Sequence, residues 1–135
     1  TGGKTFTTFN QEVALMSRMY FIISKGFEKA GGATRAMQFA AFAAEQGNQV
    51  EVALIDDAIH WAQIGMAEGI RASTGEHMLE MIQKLAAANG KLLVCKACAD
   101  KRYIGPDELI DNAVIAGAGE IVKKMCDPEN KVVSF

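Results

Sequence analysis

The sequence predicts an α/β domain with a mostly parallel sheet and helices on both of its faces. Three observations predict it. Compact apolar runs recur at residues 19–23, 50–55 and 91–95. Segments of helical periodicity separate them. Each run stops on charged or glycine punctuation, as a strand feeding a crossover does.

The elements follow in order. Residues 1–18 form an N-terminal extension, with a loose start around Gly2 and Gly3 and a short helix over 12–19. Met19 to Ile23 reads as a buried strand closed by Lys25 and Gly26. Gly31 and Gly32 then read as a loop, and Thr34 as the cap of a helix running to about Gln46, stopped by Gly47. Met37, Ala40, Ala41 and Ala44 are spaced to bury one side of that helix, widened by Phe39 and Phe42. Val50 to Ile55 is the second strand, closed by Asp56 and Asp57, and residues 58–70 have helical character. Residues 76–89 read as a helix, because Met78, Leu79, Ile82, Leu85 and Ala86 recur at helical spacing and Gly90 ends it. Residues 91–95 are the third strand and 97–103 a short helix. Gly105 and Pro106 break the chain before a helical turn over 107–112. Val114 and Ile115 are briefly extended, 117–125 is a helix, and 131–135 is the last strand. Residues 19–135 thus make one domain.

At 135 residues the chain is long enough for one domain with a real core and too short for two ordinary ones. Half of it is hydrophobic and 22% is charged, as in soluble globular proteins. A net charge of −2 gives no push toward nucleic acid, although Lys96, Lys101 and Arg102 form a modest basic concentration. No apolar run is long enough to span a bilayer, and no secretory signal pattern is visible. Three cysteines is an odd number, which argues against a closed disulfide framework and for a reduced, cytoplasmic setting.

Cys95 is the foremost candidate for chemistry. It ends an apolar run where a helix-compatible basic segment begins, so the positive end of a helix and Lys96 would favour its thiolate. The alternative is a buried cysteine that merely finishes a core strand. Cys98 makes a Cys-x-x-Cys with it, a spacing that lets two sulfurs meet at a helix start. It reads as a resolving thiol or as a small core residue. Cys126, at a helix end, reads as structural.

A zinc site would need about four ligands, and here one cysteine pair stands alone, with His60 and His77 isolated. No metal is expected. The spacing of Gly26, Gly31 and Gly32 fits neither the dinucleotide fingerprint nor the P-loop, so no cofactor is expected either. Asp56 and Asp57 suit a helix cap. His60 can move protons near a strand end, or be a surface or interface residue. Trp61 can wall a pocket or anchor a subunit contact. Met78 and Met81 read as core or interface packing. In a parallel sheet the segments 24–32, 56–61 and 95–98 all follow strand ends, so topology brings them to one edge.

The chain resembles the DsrE/DsrF/TusD-like sulfur-relay family. The family's Cys-x-x-Ala-x-x-Arg-Arg-Gly segment stands here as Cys95-Lys96-Ala97-Cys98-Ala99-Asp100-Lys101-Arg102-Tyr103. Ala116-Gly117-Ala118-Gly119-Glu120-Ile121-Val122 is similar to its Ser-Gly-x-Gly-Glu-Leu stretch, and Lys131-Val132-Val133-Ser134-Phe135 to its terminal strand. The resemblance runs from about Met19 to Phe135. It implies a flavodoxin-like three-layer sandwich assembled as trimers or hexamers. It also implies a persulfide carried on Cys95 and passed between sulfur-donor and sulfur-acceptor proteins. Holding that anion takes a cationic surround, which the helix start, Lys96 and Arg102 can provide. Two residues depart from the pattern. Tyr103 replaces a glycine, so the turn there must differ or be strained. Cys98 replaces a small apolar residue.

The leading expectation is a sulfur carrier or sulfurtransferase subunit using Cys95, with Cys98 in attendance and His60 as a supporting group. Nucleic acid and membrane are not expected partners. A thiol-disulfide redox protein using Cys95 and Cys98 is the first alternative. A non-catalytic oligomeric binding module is the second.

Overall fold

Five short apolar segments form five strands, and all of them run parallel. A computed structural model describes residues 17–135. Along the chain it contains β1 (Arg18–Ile23), α1 (Ala30–Glu45), β2 (Gln49–Leu54), α2 (Met78–Ala87), β3 (Lys91–Cys95), α3 (Lys96–Lys101), β4 (Ala113–Ala116), α4 (Ala118–Met125) and β5 (Asn130–Ser134). Short 3-10 helices occupy Phe27–Lys29, Asp56–Ala62 and Pro106–Glu108. Residues 1–16, and with them most of the N-terminal extension and of the helix expected over 12–19, lie outside the described residues; Ser17 precedes β1 and Arg18 and Met19 belong to it, so the expected helix does not reach residues 17–19.

The strand order is β4-β3-β2-β1-β5. As in a flavodoxin-like sheet, β1 lies one place in from an edge, but the edge strand beside it is the last of the chain. Phe21 pairs with Val52 on one side and Val133 on the other, and Cys95 pairs with Ala116. The chain steps in one direction from β1 to β4 and then returns past β1. Right-handed crossovers therefore put the first connections on one face and α4 on the other.

The two faces carry unequal cores. Phe21, Ile23, Val52, Leu54, Leu92 and Val94 meet α1, α2 and the Asp56–Ala62 helix. The other face packs Tyr20, Ala53, Leu93, Cys95 and Ala116 against Ile121 of α4, a helix of eight residues. The α1 side is rich in alanine, so the helix lies close to the sheet. A helix of ten residues such as α2 is marginal alone. Burying Met78, Met81, Ile82 and Leu85 stabilises it, at roughly 1.5–3 kcal/mol for each side chain removed from water. The second core holds one orphan. The buried Tyr20 hydroxyl has no hydrogen-bond partner among the described residues. Burial first, and then the nearby Glu51 and Glu120, push its pKa up to about 12.

Three expectations need correction. Gly31 and Gly32 do not form a loop; they lie in the first turn of α1. First-turn N–H groups have no intrahelical partner in any case, so weak helix formers cost least there. Thr34 does not cap that helix. Its hydroxyl donates back to the Ala30 and Gly31 carbonyls, at 2.8 and 3.1 Å. The helical reading of 58–70 holds only to Ala62, where a 3-10 helix ends. Gly65 and Gly69 then take φ values of 83° and 79°, which no right-handed helix accommodates.

Candidate functional site

Parallel strands end on the same side, so the segments after β1, β2 and β3 meet at one edge of the sheet. Trp61 is fully buried there, and its indole N–H donates to the Lys25 carbonyl at 2.8 Å. Its ring lies 4.7 Å from that of Phe27. These contacts join the first two segments. Trp61 is thus a core residue of the junction rather than a surface anchor.

The third segment carries the thiols. Cys95 is the last residue of β3 and the N-cap of α3, and it is buried, at 8% exposure. Cys98 is the third residue of α3 and is partly exposed. N-cap and N3 side chains of a helix lie next to one another, as the capping box shows. None of the three cysteines, Cys126 included, is in a disulfide. Cys126, expected to be a structural residue, is exposed at the C-cap of α4.

Two acids read as caps turn out to hold the site. The Asp56–Ala62 helix has no side-chain cap hydrogen bond. Instead the Asp56 backbone N–H donates to Cys98 Sγ at 3.2 Å, with the Asp56 carboxylate 3.9 Å from the same sulfur. Asp57 Oδ1 accepts from Arg102 Nη2 at 2.8 Å, and Arg102 Nη1 donates to the Cys98 carbonyl at 3.1 Å. Arg102 therefore ties the β2 loop to the thiol-bearing helix. Its guanidinium holds the Asp57 carboxyl below the usual carboxylate range. Burial pushes the Cys98 thiol up, reinforced by the adjacent Cys95 and by Asp56 and opposed by the Asp56 amide.

The electrostatics differ from the expectation in two respects. Lys96 Nζ pairs with Asp100 at 2.7 Å in an exposed pair along its own helix, so its charge is spent locally. The helix behind the thiols has only six residues, which leaves a small dipole. The donor that reaches a sulfur comes from another loop, and it reaches Cys98. His60 bonds Gln63 at 3.0 Å and faces the Phe27 ring. A cavity of about 830 Å³, lined in part by Arg18, Asn48, Glu51 and Lys124, lies at the opposite ends of the strands from the thiols.

Backbone strain concentrates at this edge. Asp56 and Tyr103 are two of the three non-glycine residues with positive φ among those described, at 49° and 56°. Tyr103 occupies the C′ position of α3. Its N–H bonds the Asp100 carbonyl and the Ile104 N–H bonds the Ala99 carbonyl, which is a Schellman closure. The strain expected from Tyr103 is thus present, and the side chain is 93% exposed, so it recovers nothing by packing. Relief of a left-handed side chain, less the extra chain entropy of glycine, gives Tyr103→Gly a gain of roughly 0.5–1 kcal/mol. Urea unfolding measures it, and a loss of stability would show that Tyr103 is not strained.

In chemical terms the edge holds two adjacent unbridged cysteines, one buried and one partly exposed, with an amide donor on the second. That set suits thiol-disulfide exchange and the holding of a sulfane sulfur. No helix among the described residues is long and apolar enough to cross a membrane.

Comparison with known proteins agrees with this architecture. The DsrE/DsrF-like family matches residues 17–135. Among solved structures, the ychN protein from E. coli superposes with a TM-score of 0.73 at 21% identity, covering 89% of this chain and all of that one. MTH1491 from Methanobacterium thermoautotrophicum, described as a protein of unknown function, superposes with a TM-score of 0.64 at 12% identity, over 88% of this chain and 99% of that one. No curated protein matches. A match over residues 17–135, on a five-stranded parallel α/β sandwich that ychN shares, establishes that the chain belongs to the DsrE/DsrF-like family.

Proposed function

We propose that the protein is a sulfur carrier: Cys95 holds a sulfane sulfur as a persulfide, taken from a donor protein and given to an acceptor. Membership of the DsrE/DsrF-like family supports a sulfur-relay role of this type. The observation that carries the assignment to Cys95 is its place as the unbridged last residue of β3, at the edge where three loops converge. Arg102 is the supporting cation, through its hold on Asp57 and the Cys98 carbonyl. His60 stands one step further out, and Lys96 supports the helix rather than the sulfur.

Incubating the reduced protein with inorganic polysulfide, followed by intact-mass analysis, tests this. The expected result is a gain of one sulfur, absent in Cys95→Ser. Uptake that survives Cys95→Ser overturns the assignment. A thiol-disulfide redox role is the second reading, favoured by the adjacency of Cys98. It would appear as reduction of a test disulfide with no sulfur gained.

The carrier is further proposed to work as a homo-oligomer, a trimer or hexamer as the resemblance implies. Exposed Val114, Val122, Met125 and Val132 on the face that only α4 covers support this, as do Phe39 and Phe42 on α1. Such side chains are suited to subunit contacts.

A further inference from the structure

We propose that Cys98 is the discharging thiol of this site: it attacks the inner sulfur of a Cys95 persulfide, closes a Cys95–Cys98 disulfide and expels the outer sulfur as hydrogen sulfide. The inference rests on the persulfide reading of Cys95 and says how the sulfur leaves when no acceptor protein takes it.

Three features of the geometry carry it. Cys95 and Cys98 stand at the N-cap and N3 positions of one helix, and Cys98 packs against the cluster that contains Cys95. The two are unequal in access: Cys95 is buried and Cys98 is partly open to solvent. Finally, the attacking sulfur has its own donor. The Asp56 N–H lies 3.2 Å from Cys98 Sγ, and this hydrogen bond opposes the burial that holds the thiol protonated, so it lowers the cost of forming the thiolate that does the attacking. The residue that presents the amide is itself held in the left-handed region, at φ 49°. Arg102 helps to hold the conformation by gripping Asp57 from the same helix that carries Cys98.

The step balances. Cys98 loses its proton and its sulfur bonds Cys95 Sγ. The bond from Cys95 Sγ to the outer sulfur breaks, and the electron pair leaves with that sulfur, which takes up the proton released by Cys98. Persulfide plus thiol gives disulfide plus hydrogen sulfide: the sulfane sulfur is reduced by two electrons and the cysteine pair is oxidised by two. Reopening the disulfide for another turn takes an external thiol or dithiol as reductant.

The test uses the full chain, reduced, loaded with inorganic polysulfide, desalted and kept anaerobic without reductant. Released sulfide and intact mass are followed together. The wild type is expected to release its loaded sulfur as sulfide and to finish two hydrogens lighter than the reduced protein. Cys98→Ser and Cys98→Ala are expected to load normally, keep the sulfur, and lose sulfide release until a thiol is added. Two variants guard against a local folding defect in one. If the wild type keeps its persulfide as long as the variants do, the discharging role is overturned. If neither wild type nor variants take up sulfur, the persulfide reading itself falls.

Discussion

Trp61→Ala lowers stability by about 3–5 kcal/mol, the range for emptying a buried aromatic site. The side chain is fully buried between the first two strand-end loops and against Phe27. Its loss also removes the hydrogen bond that the Lys25 carbonyl accepts from the indole N–H. Trp61→Phe keeps most of the apolar contact and forfeits that bond, so it costs about 0.5–1.5 kcal/mol, the net worth of one hydrogen bond whose acceptor sits on an exposed residue. Urea denaturation of the two variants measures both effects. A Trp61→Ala loss below about 1 kcal/mol would mean that the site collapses freely and that the indole does not join the loops.

Gly26→Ala strikes the same junction from the other side. A methyl at Gly26 would lie 2.5 Å from the Asp57 carbonyl oxygen and 2.9 Å from its carbonyl carbon. Both are backbone atoms, so no side chain can swing away and one loop must move. Overpacking of this kind costs about 1–3 kcal/mol. The displacement is transmitted further, because Asp57 is tied to Arg102 and Asp56 to Cys98. The variant is therefore expected to melt lower and to alter the rate at which Cys98 is alkylated. Unchanged alkylation in a destabilised variant would show that the loops carry stability without positioning the thiol.

These two effects concern contacts that sequence pattern does not reveal, and the contrast with what it does reveal is instructive. Met78, Leu79, Ile82, Leu85 and Ala86 recur at helical spacing; Met78, Ile82 and Leu85 are buried in α2, and Leu79 and Ala86 are half-buried. Residues 91–95 form the expected strand and end on Cys95 as expected. Even the strained turn at Tyr103 was legible, because a side chain stands where the family pattern has a glycine. The double glycine of α1 was not, since a first turn tolerates poor helix formers when Ala33, Ala36 and Met37 are buried behind it. The acids Asp56 and Asp57 looked like caps because capping is the local use of such residues. Their actual partners lie 42 and 45 residues away.

Periodicity alone determined that this chain is a parallel α/β domain and that Cys95 stands at a strand end. Burial imposes a repeat on neighbouring residues, and a repeat can be read locally. Which groups surround the thiols was decided only in three dimensions. Asp56 reaches Cys98, Arg102 grips Asp57 and Lys96 turns to Asp100, because the crossovers bring separate loops together and the backbone angles of those loops aim each donor.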